Sequence, residues 1–238
     1  HDMDVSPLGY APGQIPGLDR LAFTADETMV QLAKENPRLC AITAAMPGGT
    51  GLLNFKKAFP DRLFDVGIAE GHAISMAAGL AQQGMVPVVA MYSTFLQRSF
   101  DMLLQDIGLL GLHVVLAVDR AGLVGEDGAT HQCCEDIALM RTIPGMVIIN
   151  PADDVEAYQA VLAAADYYGP VYMRFGRLAV PRVNDEATYK FEIGKGITLK
   201  DGNDVTIVAT GLMVNEALMA AEELKADGID ARVINIHT

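Results

Sequence analysis

A single carboxylate, Glu70, stands where the apolar run RLFDV gives way to the small-residue stretch GIAEGHAISMAAGLAQQG of residues 67–84. At a strand-to-helix junction an acid can satisfy the free N–H groups and the dipole of the helix start. It can equally act in proton transfer, and the residues alone leave both readings open. A second cluster lies in 119-DRAGLVGEDGATHQ-132, where Asp119, Arg120, Glu126, Asp127 and His131 sit among glycines and alanines that permit tight turns. A histidine within reach of carboxylates, directly after an apolar strand, makes a candidate proton-transfer pair; the alternative is a solvated surface loop. The third stretch, 92-YSTFLQRSFD-101, opens a helix with Tyr92, Phe95, Arg98 and Phe100. Aromatic residues at that spacing either pack a core or offer a platform to a flat ring.

The elements that must position these residues follow from apolar patterning. The runs LCAITAA, LFDVGI, VPVVAMY, HVVLAVD, MVIINP and PVYMRF are short and continuously apolar, and helix-like stretches such as HAISMAAGLAQQ, FLQRSFDMLLQDIGLL and DVEAYQAVLAAADY separate them. Continuous rather than alternating apolar strands belong in a parallel sheet covered by helices on both faces, so an α/β layered domain is predicted over residues 20–183. Ligands of open α/β sheets bind beyond the carboxyl ends of the strands, where all three clusters fall. Upstream, TADETMVQLAKENP predicts a helix that starts at a capping box, Thr24 to Glu27, and stops at Pro37. Residues 1–19, rich in Pro and Gly without apolar periodicity, read as a linker or arm. From residue 184 a second unit begins, with DVTIVATG as a strand, VNEALMAAEELKADG as a helix closed by Gly228, and ARVINI as the next strand. One βαβ unit is too small for a core of its own and is expected to pack on the first domain.

Composition narrows the function classes. Half of the 238 residues are hydrophobic (51%), which suits a globular rather than a disordered chain. The formal net charge of −13 argues against non-specific nucleic-acid binding, which needs Lys and Arg to neutralise phosphates. An anionic substrate would have to be held by locally placed arginines. No apolar run is long enough to span a membrane, and no signal-peptide pattern appears, so a cytoplasmic location is expected. Cys40, Cys133 and Cys134 form neither CxxC nor a Cys/His metal spacing, and a reducing compartment is the simpler reading.

Four stretches in order, AITAAMPGGTGL, FPDRLFDVGIAEGHA, PVVAMYSTFLQRSFD and VDRAGLVGEDGATHQ, resemble the pyrimidine-binding half of the 1-deoxy-D-xylulose-5-phosphate synthase family, thiamine-diphosphate enzymes of the transketolase superfamily. The later segments CCEDIALMRTIPGMVIINPAD, VYMRFGR and EIGKG are more similar to the C-terminal subunit of split transketolases, and residues 184–238 resemble the start of a transketolase-type C-terminal domain. The resemblance implies that Glu70 hydrogen-bonds the aminopyrimidine of thiamine diphosphate, that Phe95 stacks on that ring and that Met46 lies near the thiazolium. It implies catalytic roles for Glu70 and His131, and substrate contacts from Tyr92, Arg98, Arg120, Asp127, His131 and Arg177, with the two arginines Arg120 and Arg177 clamping a sugar phosphate. Gly71 departs from the family pattern, which has Gln or another larger residue there. The GDG motif of the diphosphate- and Mg²⁺-binding half is absent from the chain, so metal ligands and half of the cofactor site are expected from another subunit or an N-terminal region, in a homodimer or heterotetramer. The expected reaction condenses pyruvate with glyceraldehyde 3-phosphate. The alternatives are ketol transfer between sugar phosphates, as in a split transketolase, and a non-catalytic partner role.

Overall fold

A computed structural model describes residues 18–19 and 21–238 of the chain. Residues 1–17 of the segment read as an arm lie outside it. The two residues that follow, β1 (Leu18–Asp19), pair antiparallel with Val180 and Pro181. Helix α1 (Leu21–Glu35) starts ahead of the predicted capping box. Thr24 is therefore inside the helix, and its carbonyl accepts the Thr28 hydroxyl at 2.7 Å. The earlier start is explained by packing: Leu21, Ala25, Met29 and Ala33 form one buried stripe at four-residue spacing. Burial of that stripe outweighs what a cap at Thr24 would contribute.

The chain continues through β2 (Leu39–Thr43), α2 (Leu53–Ala58), β3 (Leu63–Asp65), α3 (Glu70–Gln82) and β4 (Val86–Tyr92). The helix expected after Tyr92 is a mixed run: α4 (Ser93–Leu96), a 3₁₀ turn, α5 (Phe100–Met102) and a π-helical stretch over Leu103–Gly108. Then come β5 (Val115–Asp119), α6 (Asp136–Met140), β6 (Val147–Ile149), α7 (Asp154–Asp166), β7 (Val171–Arg174) and β8 (Val180–Pro181), the partner of β1. Six strands form one sheet in the order β3-β2-β4-β5-β7-β6, every pairing parallel.

Alternate residues of β4 show why its strand is continuously apolar. Val88 and Ala90 enter one core with α1, α2 and α7, while Val89 and Met91 enter the other with α3 and the mixed helical run. Each fully buried aliphatic side chain contributes about 1.5–3 kcal/mol, so both layers are strongly held to the sheet. The winding from β2 to β3 reverses at β4, on the other side of β2. A crevice opens at such a reversal, beyond the carboxyl ends of β2 and β4.

Short α2 takes its cap from another helix. Asp26 of α1, buried, accepts the Asn54 and Phe55 amides through its two oxygens, each at 3.1 Å. Burial pushes its carboxyl up to about 6, against the lowering effect of those two amides. A folded-state value raised above the unfolded one means a contribution present below about pH 4 and lost as pH rises through about 6. Asp26→Asn keeps an acceptor and has no charge to desolvate. The difference in unfolding free energy between wild type and Asp26→Asn should therefore change by about 2–3 kcal/mol between pH 4 and 7, as read by denaturant melts.

The second unit holds β9 (Ile197–Lys200), β10 (Val205–Ala209), α8 (Met213–Ala226) and β11 (Ala231–Asn235), in the sheet order β10-β11-β9. Strand β9 supplements the predicted βαβ unit and pairs antiparallel with β11. Gly228, with φ +80°, closes α8 as expected. Ala217, Ala221, Ala231 and Val233 make a small core. The unit is fastened to the first by Glu156 of α7, whose carboxylate accepts the Asn235 amide at 2.9 Å, the Ala152 N–H at 2.6 Å and the Tyr189 hydroxyl. Gly211 is required at this seam, since a Cβ there, besides needing φ +58°, would lie 2.6 Å from the Asn150 side chain.

Candidate active site

The crevice beyond β2 and β4 is a cleft of about 530 Å³, lined by residues 44–49 and by Ile68, Glu70, Tyr92, Phe95 and Arg98. Glu70 is the first residue of α3 and is 5% exposed. Its Oε1 accepts Arg98 Nη1 at 3.0 Å, and the rest of the Arg98 side chain is more than half exposed. The carboxylate thus faces the cleft with one largely exposed cation on it. Helix-start and functional roles coincide at this residue: the N-terminal dipole favours the charge, and the cleft exposes it to a ligand.

Backbone conformation brings the wall residues together. Ala45, with φ +61°, turns the chain after β2; Asp65 Oδ1 holds that turn through the Ala45 amide at 2.8 Å, and holds the next through the Gly67 amide at 3.1 Å. Met46 then reaches under β4, where its Sδ lies 3.3 Å from the Tyr92 amide nitrogen. Tyr92 is set between groups: the Arg120 guanidinium lies 4.1 Å from its ring centre, and the Phe95 ring lies near-parallel at 5.9 Å. His131 meets the Phe95 ring edge-on at 5.3 Å. A Cβ on Gly49 would fall 1.7 Å from the Tyr92 hydroxyl oxygen, so the second glycine of PGG is where backbone and ring touch. Gly49→Ala should push the Tyr92 ring out of the cleft wall while the melting temperature of the chain stays within a few degrees; the Tyr92 ring resonances with a melt beside them check both.

The 119–132 loop differs from its expected chemistry in one respect. Asp127 does not pair with His131. Its Oδ2 meets Arg120 at 3.2 Å and Arg177 at 3.1 Å, and His131 Nδ1 shares a hydrogen bond with Thr130 Oγ1 at 3.0 Å. Opposite charge wins over the imidazole because Arg120, 1% exposed with φ +58°, has to be neutralised where it is buried. The Glu126 side chain lies outside the described residues. Tyr92, Phe95 and Arg98 thus line the cleft, His131 packs against the Tyr92 and Phe95 rings without lining it, and Arg120, Asp127 and Arg177 form an ion cluster in which Arg120 lies over Tyr92. Gly71 faces Met102, whose methyl would lie 3.1 Å from a Cβ; the thioether fills space that a larger residue at 71 would take. Among the described residues no group of three or more His, Cys, Asp or Glu is arranged to hold a metal ion, and no helix is long and apolar enough to cross a membrane.

Gly49 and Asp65 were absent from the sequence-based set of site residues. The signals for them were PGG after an apolar strand and an aspartate ending the strand before Glu70, each legible only once the crevice is located.

Comparison with known proteins decides the family. The family model for the transketolase pyrimidine binding domain matches residues 22–182. The chain belongs to that family. A second model, for the transketolase C-terminal domain, matches residues 194–238 of this transketolase-type chain. Relatives named 1-deoxy-D-xylulose-5-phosphate synthase are 45% identical over 234 residues in Desulforudis audaxviator and 49% identical over 210 residues in Heliobacterium modesticaldum. These alignments cover 97% and 88% of this chain but 37% and 32% of the relatives, so the chain spans about a third of the length of the curated relatives it matches. Among solved structures, a split-gene transketolase described as an inactive beta4 tetramer is 40% identical, with a TM-score of 0.84 over 92% of this chain and 72% of that one. Transketolase from Campylobacter jejuni shares the fold, with a TM-score of 0.85 at 21% identity over 95% of this chain and 36% of that one.

Proposed function

We propose that this chain is the pyrimidine-binding component of a thiamine-diphosphate-dependent transferase that condenses pyruvate with glyceraldehyde 3-phosphate. In the overall reaction the bond between C1 and C2 of pyruvate breaks, carbon dioxide leaves, and C2 joins the aldehyde carbon to give 1-deoxy-D-xylulose 5-phosphate. The observation that carries the reading is a buried carboxylate, Glu70, at a helix start on the wall of a cleft that also presents Phe95 and Met46. Its residues fit the aminopyrimidine side of the cofactor: an acid for a ring nitrogen, an aromatic face, and a floor of Ala44, Ala45, Gly48 and Gly49 without bulk. When bound, thiamine diphosphate supplies a nucleophilic carbon and an electron sink for a two-carbon unit. Glu70 holds and moves the proton at the aminopyrimidine, Phe95 and Met46 orient the cofactor, and Tyr92, Arg98 and His131 contact substrate. Arg177, the more accessible of the two paired arginines, supplies positive charge for a sugar phosphate, while Asp127 fixes it beside the buried Arg120.

Mg²⁺ and the diphosphate are held by a counterpart domain or subunit, in a homodimer or heterotetramer. The inactive tetramer of β chains in the split-gene relative supports the view that the chain alone does not turn over. Free Cys40, Cys133 and Cys134 suit a reducing cytoplasm. The 40% identity to that same relative also favours a second reading, ketol transfer by a split transketolase. Carbon dioxide release separates the two. With the counterpart, thiamine diphosphate, Mg²⁺ and pyruvate present, release should rise on adding glyceraldehyde 3-phosphate; ketol transfer from a ketose phosphate without release would establish the second reading instead.

A further inference from the structure

Beneath the 119–132 loop lies a buried polar knot that does not line the cleft. Arg174, at the end of β7, donates from Nε to Asp136 Oδ2 at 2.7 Å, with Nη2 3.5 Å from Oδ1. The Tyr172 hydroxyl donates to the same Oδ2 at 2.9 Å and lies 3.2 Å from Ser93 Oγ. Asp136, Tyr172 and Ser93 are all buried. Above the knot, Gly122 rests directly on the guanidinium, since a Cβ there would be 2.9 Å from Arg174 Nη2. Gly122 exchanges two backbone hydrogen bonds with Cys133, at 2.8 and 3.0 Å, which close the base of the loop that carries Asp127 and His131. The amide of Ala121, next to Arg120, is tied to the Phe175 carbonyl at 3.0 Å.

One carboxylate therefore gathers the chain segments that deliver Tyr92, Phe95 and Arg98 on either side of Ser93, Arg120 to His131 through Gly122, and Arg177 after Arg174. We propose that Asp136, through Arg174 and Tyr172, is a positioning residue that fixes the substrate loop and so sets the affinity for the anionic acceptor. A buried ion pair of this kind contributes little net stability and is best explained by the geometry it specifies. Arg174 meets Gly122 with a planar, rigid face, which a lysine would not offer.

The inference rests on the proposed function for its kinetic readout only. Asp136→Asn and Tyr172→Phe are compared with wild type in two measurements. Hydrogen exchange on this chain follows the amides of Gly122 and Cys133. Steady-state kinetics of the assembled enzyme follow glyceraldehyde 3-phosphate. The expected result for Asp136→Asn is exchange at both amides at least tenfold faster, and KM for the acceptor raised about tenfold with kcat within about threefold, the pattern of lost uniform binding. Tyr172→Phe should move both readouts the same way by less, and carries the test if Asp136→Asn does not fold. Wild-type exchange rates at Gly122 and Cys133 in the folded variants would overturn the proposal, as would a fall in kcat with KM unchanged. If wild type itself turns over no acceptor, the functional reading fails and the exchange rates alone decide.

Discussion

Glu70→Ala is expected to lower turnover of the assembled enzyme at least about 100-fold, the scale of a lost proton-transfer group, while leaving the fold intact. The two halves of that expectation rest on different contacts. Glu70 lines the cleft, and in the proposed function it acts on the aminopyrimidine, so its loss should remove activation of the cofactor. Its protein partner, Arg98, is 57% exposed in its side chain and can return to water when the carboxylate goes. The change in stability should then stay within about 1 kcal/mol, as for exposed ion pairs. Turnover measured beside a denaturant melt checks both, and near-normal activity would rule out the role given to Glu70.

The largest effect on stability is expected at Glu156. This residue is fully buried and accepts hydrogen bonds from Ala152, Tyr189 and Asn235, which join α7, the 183–196 segment and β11. Glu156→Ala leaves the buried Ala152 and Asn235 donors and the half-buried Tyr189 hydroxyl unpaired, at about 1–3 kcal/mol for each buried donor, so a loss of roughly 3–5 kcal/mol is expected. Glu156→Gln should also destabilise, because each of these three partners donates to the carboxylate and an amide would turn N–H toward one of them. Burial pushes the Glu156 carboxyl above its usual range. The wild type's contribution from this group is thus full below the unfolded carboxylate range and declines as pH rises through the raised value, a slope that both variants should lose. Chemical melts at several pH values read all three statements, and a Glu156→Ala chain as stable as wild type would contradict them.

How much was legible in the sequence depends on the length scale of the cause. The central strands announced themselves because burial on both faces demands unbroken apolar runs, as in VPVVAMY, whose residues feed two cores. Glu70 stood out for the same reason, as one acid at the end of such a run. The start of α1 was misplaced because Leu21 and Ala22 are recruited by the core, a tertiary effect that outweighs a local cap. The partners of Asp127 were not legible, because Arg177, fifty residues on, arrives only through the β7 crossover. Likewise, Asp136, Tyr172 and Arg174 carry no local signal, since what unites them is the adjacency of β4, β5 and β7 in the sheet.

The most direct test of the central claim is the rate at which the C2 proton of thiamine diphosphate exchanges with deuterium in the assembled protein, followed by NMR for wild type and Glu70→Gln. Exchange in wild type is expected to be at least about 100-fold faster than in Glu70→Gln, as follows from the proposed activation of the ring by the carboxylate on the cleft wall. Equal rates in the two proteins would contradict it and leave Glu70 as a helix-start residue alone.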